Sequence, residues 1–431
     1  MTRPLRFAMV TTFYPPYHFG GDAIYLQRLC HELADRGHQV EVIHNPDAYR
    51  VLTGHEPAGQ SDRHPNITVH ELTGRSPLLS ILAMQQLGSP GIHADRLREL
   101  LGRDLDVIHY HNVSLAGGPR VLSYGTAPKL YTTHEYWLVC PTHVLFRFNR
   151  EACTRRTCLA CQLSYRRPVQ LWRYGNLLAE SCRQVAAFLT PSAFAAAKHQ
   201  QHGFTFPMLH LPLPGAGTQR LESRARAAPP YFLYVGRLER LKGVHTLLPL
   251  FLRHPEAQLW IVGTGSEESR LRALAGSASN VHFLGWVGGD KLRALYRDAL
   301  AVIVPSLCYE VLSLVPLEAF QQATPVLARD SGSLHELITV SGAGALYHSD
   351  DQLWEAMSRL LNDATLRDEL GQRGYQAYLD QWTPEVHLSR YLSLVDRLTH
   401  HQPLAEIAPP VAAGPAPGPY PSPETRDDAG E

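Results

Sequence analysis

Neither sign of charge predominates in this chain: 40 Lys and Arg balance 40 Asp and Glu, and charged residues make up only 19% of 431. With no net field to gather phosphates, no nucleic-acid partner is expected. Long apolar runs are lacking too. The longest have strand length, so no transmembrane helix is expected. The first nine residues carry two Arg and run into a strand pattern, without the apolar block and cleavage site of a signal peptide. A cytoplasmic protein is expected. Cysteine is scarce, seven in the whole chain, too few for a disulfide scaffold. Apolar residues, by contrast, form 44% of the sequence, which excludes disorder throughout. The length suits two α/β domains and a tail.

The pattern of elements bears this out. An apolar run over 6–11 leads through Pro15-Pro16 and Gly20-Gly21 into a helical pattern ending at Gly37, and a second strand follows over 40–43. Strand, glycine loop, helix and strand in that order open a parallel sheet. Further strands are predicted over 106–111, 129–134 and 186–190, and a short helix from Ala193. Two of these strands end in histidines (His109, His111 and His134), at the carboxyl ends that line the crevice of an open α/β sheet. The stretch 209–230, rich in Pro, Gly and Arg, reads as a linker. Strands over 231–236, 258–263 and 301–305, separated by helical segments, build a second parallel sheet. Helices follow over 353–361, 362–379 and 384–400. From Pro403 onward eight prolines fall in 29 residues, and this tail is expected to be unstructured.

Two carboxylates, Glu310 and Glu318, stand just after the third of these strands. Eight residues at about 100° each leave them near one helix flank, two turns apart. Free amides at a helix start suit a phosphate. The same pattern also describes a capped helix with one exposed acid. Upstream, Gly236-Arg237-Leu238-Glu239-Arg240-Leu241-Lys242-Gly243 sets two cations across a turn, a way to place a guanidinium and an ammonium on one diphosphate. A solvated basic turn has the same signature. Gly263-Thr264-Gly265 after a strand is a weak nucleotide signal, lacking the third glycine of a dinucleotide fingerprint. Asp104-Leu105-Asp106 matches the metal-binding D-x-D motif formally, but its place at a strand start favours a structural role.

Taken in order, these segments resemble the retaining nucleotide-sugar glycosyltransferases of family four. They include the Gly20-Gly21 loop, Asp106-Val107-Ile108-His109-Tyr110-His111, Thr133-His134-Glu135-Tyr136-Trp137, the Arg237/Lys242 turn, Gly263-Thr264-Gly265, Glu310 to Glu318 and Thr324-Pro325-Val326. The resemblance reaches to about His400. It implies an α/β fold of the GT-B architecture, two Rossmann-like parallel-sheet domains facing a cleft. Residues 1–211 would bind the acceptor, 212–230 link, 231–382 bind the nucleotide-sugar, 383–401 return as a helix to the first domain, and 402–431 form the tail.

The resemblance also implies roles. Arg237 and Lys242 would hold the donor diphosphate, Glu318 the ribose, and Glu310 the sugar and pyrophosphate with the amides of Val311 and Leu312. Gly20 and Gly21 would admit the donor to the first helix, Gly263 and Gly265 would line the nucleotide, Val287 would lie where backbone reads the base, and His134 would touch a sugar hydroxyl. Arg, Lys and helix-start amides can stabilise a departing diphosphate, so catalysis would need no metal. The acceptor hydroxyl would attack on the face the diphosphate leaves. A sugar or lipid-linked acceptor in cell-surface polysaccharide or glycoconjugate synthesis is the expected substrate. A non-catalytic nucleotide-sugar-binding protein and a GT-B epimerase are the alternatives. The sequence departs from the family at Val311-Leu312-Ser313-Leu314, where Gly-Phe-Gly-Leu is common, which bears on the donor.

Four cysteines cluster: Cys140, Cys153, Cys158 and Cys161 fall within 22 residues, in an insert over 138–165. Four thiolates with a terminal C-x-x-C suit a structural zinc; Fe–S and metal-free thiols remain open on the same residues. A subset of the resembling transferases carries such a Cys-rich insert. Arg166, Arg167, Trp172, Arg173 and Tyr174 follow, either a solvated face or a peripheral contact with the inner face of a membrane. Cys30, Cys182 and Cys308 read as packing residues.

Overall fold

The computed structural model describes residues 3–59, 63–217, 219–221 and 229–404. Part of the expected linker and the tail beyond 404 lie outside them.

In chain order the strands are β1 (Arg6–Val10), β2 (Gln39–His44), β3 (Ile67–Glu71), β4 (Val107–Tyr110), β5 (Lys129–Thr132), β6 (Phe146–Arg147), β7 (Glu151–Ala152), β8 (Ala187–Thr190) and β9 (Met208–His210). The second half adds β10 (Tyr231–Val235), β11 (Gln258–Val262), β12 (Val281–Gly285), β13 (Ala301–Val304), β14 (Val326–Arg329) and β15 (Gly344–Tyr347). Two parallel sheets result, ordered β3-β2-β1-β4-β5-β8-β9 and β12-β11-β10-β13-β14-β15; β6 and β7 form a separate small hairpin. Central strands such as β4, β5 and β13 are buried along their whole length, as parallel strands covered by helices on both faces must be.

In each sheet the direction of winding reverses at one place. β1 pairs with β2 on one side and β4 on the other, and β10 likewise lies between β11 and β13. A crevice opens outside the carboxyl ends of strands at such a switch. The loops that follow β1 and β4 thus belong to one crevice, and those that follow β10 and β13 to the other.

The final helix, Pro384–Thr399, starts with Thr383 Oγ1 accepting the Val386 amide at 3.3 Å, with proline at its first position. Leu388, Tyr391, Leu394, Val395 and Leu398 line one of its faces at helical spacing. They pack with Phe7, Met9, Leu26 and Leu33 of the first domain. The chain therefore crosses between the halves twice, once through the linker and once before this helix.

Candidate functional site

On the second domain, β10 ends into the 236–243 turn. Gly243 closes this turn in the left-handed region at φ 78°, where a Cβ would lie 2.0 Å from the Pro305 carbonyl. Glycine there lets the turn settle onto the loop after β13, and Lys242 reaches that loop. Its Nζ lies 2.7 Å from Glu310 Oε1, which also accepts the Ser306 hydroxyl at 2.6 Å. Burial would raise the Glu310 pKa, but the Lys242 charge and these hydrogen bonds outweigh it and hold the carboxyl below its usual range. Lys242 shows the mirror effect: burial pulls it down, Glu310 wins, and its pKa is raised.

Glu310 does not begin a helix. The helix is Leu314–Gln321, so Glu310 sits in the preceding loop and the two-turn spacing to Glu318 is a loop followed by one turn. Pro316 explains the late start, because proline is tolerated only in the first turn; Ser313 stands at the N-cap but makes no side-chain cap bond. Glu318 lies on the helix, accepts the Tyr296 hydroxyl at 2.6 Å, and has its pKa raised by burial against that bond and Arg28. Arg237 is on the same side but its side chain is 59% exposed and paired with Glu239 at 2.5 Å. Gly263 and Gly265 have a packing reason: a Cβ would lie 2.0 Å from the Gly236 carbonyl at the first and 2.4 Å from that of Leu238 at the second. Val287 is partly buried beside an exposed Trp286.

Opposite stands the helix Gly21–Asp35, capped by Gly20 without a side-chain bond. A Cβ on Gly21 would lie 2.9 Å from Leu314 Cδ1, so the starts of two helices from different domains meet here. The donor-side loop is further tied across the cleft. Ser192 Oγ donates to the Val311 carbonyl at 2.6 Å, and Leu312 packs against the cores of both domains. Glu336, on the helix Ser333–Ser341, accepts the amides of Ala193 and Phe194 at 3.2 and 3.1 Å, capping a helix of the other domain. Ser192, Ser306 and Tyr296 were not singled out in the sequence. Only the serine before Ala193 gave a local signal, as an N-cap.

His134 follows β5 and lies within 2.9 Å of His111, which follows β4; Tyr25 of the first helix is beside it. Asp106 bonds the Arg6 amide at 2.7 Å and pairs with Arg3, so the D-x-D match is structural. Trp172 is buried and the Arg173 guanidinium lies over its ring at 4.2 Å while donating to Trp137 O, so these two residues face inward and form no membrane surface.

The four clustered cysteines line one cavity of about 20 Å³. Among the described residues no group of three or more His, Cys, Asp or Glu is placed to hold a metal ion as arranged. Burial and the neighbouring thiols push Cys153 up to about 11 and Cys158 in the same direction, as suits packed, protonated thiols. Cys140 and Leu145 of the insert pack with Tyr309 and Val311, on either side of Glu310. Cys30, Cys182 and Cys308 are buried, as packing residues should be.

The fold and this cleft between paired Rossmann-like sheets define the class of GT-B glycosyltransferases. Residues 19–209 match the family model Glycosyltransferase Family 4, and residues 217–377 match Glycosyl transferases group 1. The chain, with one match in each domain, takes its place among these GT-B transferases. An uncharacterized glycosyltransferase of Methanocaldococcus jannaschii is 26% identical over 84% of this chain and 91% of its own length. Sucrose-phosphate synthase from Thermosynechococcus elongatus shares the fold with a TM-score of 0.71 at 19% identity, covering 92% of this chain and 100% of the other. The Anabaena protein HepE, solved in complex with UDP, does so at 0.64 and 15%, over 91% and 99%. Among the described residues no helix is long and apolar enough to cross a membrane.

Proposed function

We propose that the protein transfers a hexosyl group, with retention at the anomeric carbon, from a nucleoside-diphosphate sugar to a sugar or lipid-linked acceptor. The setting is cytoplasmic synthesis of a cell-surface polysaccharide or glycoconjugate, with peripheral contact at the inner face of the membrane through the exposed Arg166 and Tyr174 rather than the inward-facing Trp172 and Arg173. The observation that carries this reading is Lys242, fixed on Glu310 at 2.7 Å, in a loop that adjoins the facing helix starts at Gly21 and Leu314.

An ammonium has three N–H donors and Glu310 takes one, which leaves the others for a diphosphate. The charge that develops on the departing diphosphate is met by Lys242, by Arg237 swung from its exposed pair with Glu239, and by the amides of Val311 and Leu312. Because Lys242 is already held in place by Glu310 and Arg237 needs only to turn, the step requires no metal. Glu318, with one oxygen on Tyr296, offers the other to a ribose hydroxyl. The leaving phosphate oxygen takes the acceptor proton, so attack and departure share one face and configuration is retained. The Cys-rich insert, packed on the loop that carries Glu310, shapes the acceptor side.

Thermal stabilisation by UDP-, GDP- and ADP-sugars, set against NAD, tests the donor class. UDP-sugars come first because HepE was solved with UDP. A shift with NAD alone would sink the reading.

A further inference from the structure

His134 ends a row of three histidines. Its Nε2 lies 2.9 Å from His111 Nδ1, and the two rings stack with centroids 5.2 Å apart. His111 lies in turn 4.0 Å from the ring of His109. His109 is satisfied at both nitrogens, Nδ1 3.0 Å from the Tyr391 hydroxyl and Nε2 2.8 Å from Thr132 Oγ1. His111 is not: its Nε2 is buried without a hydrogen-bond partner.

A neutral imidazole carries one N–H and one lone pair. If the His111 proton sat on Nε2, a buried N–H would be stranded, the rarer and costlier orphan. On Nδ1 the proton is used, and only a lone pair is stranded. Burial keeps His109 and His111 far below the usual histidine pKa, so both are neutral. Asp22 of the first helix and Glu135 are the carboxylates facing His134, with Tyr25, His109 and His111 beside it. Burial outweighs those carboxylates and lowers its pKa as well.

The geometry points to His111 as a positioning residue: it donates its Nδ1–H to His134 Nε2, fixes the His134 proton on Nδ1, and so makes His134 a neutral hydrogen-bond donor to a sugar hydroxyl rather than a general base. Among the described residues none hydrogen-bonds the Nδ1 of His134, which leaves it for a ligand. The inference rests on the transferase reading, in which His134 meets the donor sugar.

Asparagine and glutamine separate the two ring nitrogens, because an Asn amide nitrogen superposes on Nδ1 and a Gln amide nitrogen on Nε2. His134→Asn should keep kcat/KM for the sugar donor roughly tenfold above His134→Gln, the size of one hydrogen bond. His111→Phe should lower it by a similar factor and His111→Asn restore most of it. Affinity for the free nucleoside diphosphate, which lacks the transferred sugar, should be the same in all four variants. The ring ¹⁵N shifts of His134, assigned by their loss in His134→Asn, should show the proton on Nδ1. Equal or greater activity in His134→Gln, an unaffected His111→Phe, or a proton on Nε2 overturns the assignment. If the wild-type protein transfers no sugar while its ¹⁵N pattern is as stated, the transferase reading fails and the proton assignment stands.

Discussion

Gly21 and Leu314 begin helices in different domains, and they meet so closely that one methyl group on Gly21 would come within 2.9 Å of the Leu314 side chain. Neither local chain conformation demands the glycine; the neighbour across the cleft does. Gly21→Val should therefore hold the cleft ajar and reduce turnover roughly a hundredfold, the effect of about 1 Å of misplacement. Melting of the first domain should barely change. Adding Leu314→Ala should return part of the activity; a double variant no better than the single one would show that contact with Leu314 is not the cause.

Lys242→Ala should reduce kcat by roughly 10²–10³, as loss of one group stabilising developing charge does. It also strands the buried Glu310 carboxylate, at a cost of about 3–5 kcal/mol in stability. Glu310→Ala should lose turnover at a smaller stability cost, because the Lys242 ammonium it strands is 23% exposed against 11% for the Glu310 carboxylate. Steady-state kinetics and denaturant titration on both variants check this. Unimpaired turnover in both removes these residues from the site.

The Glu310 pKa is lowered in the folded protein, so the carboxylate contributes stability above its unfolded pKa and loses it as pH falls through the folded value. Thermal stability should drop on acidification, and Glu310→Gln should flatten that slope below about pH 4, where an unperturbed glutamate titrates. Identical slopes in wild type and variant would contradict the pairing with Lys242.

Glu336→Ala removes a cap from a helix of the other domain, worth about 1 kcal/mol. Together with Ser192→Ala it should loosen the loop that carries Glu310 and raise KM for the donor more than it lowers kcat. A fall in kcat alone would point elsewhere.

The Cys153 thiol is pushed up to about 11, so at neutral pH it is almost wholly protonated. Alkylation there should be roughly a hundredfold slower than at a free cysteine, since the thiolate is the reacting form. Mass spectrometry after timed labelling reads the rate, and fast labelling would refute the packed-thiol arrangement.

Most sheet strands and the Pro384–Thr399 helix were legible because each joins an apolar run to a clear stop. Those missed have physical reasons. β3 is an edge strand and exposes part of its length, β9 is three residues inside a proline-rich stretch, β12 is half-exposed, and β14 and β15 are only four residues each. In the site, Lys242 and Glu310 were readable from charge at strand ends. His111 was readable as a strand-end histidine, but the contacts of Ser192 and Glu336 were not, because their partners lie far away in sequence and only the closed packing of two domains brings them together. The cysteine spacing suggested a metal, yet spacing says nothing about where sulfurs point once an insert collapses onto an apolar cavity.

Because Leu388, Tyr391 and Leu398 fill the core built on β1, the first domain is completed by a segment that is synthesised only after the whole second domain. The nascent acceptor-side half must wait with an open hydrophobic face until synthesis has passed residue 398. Its maturation is thereby tied to the making of the donor-side half, and a chain broken off between the two would yield a product fit for degradation rather than a free-standing module.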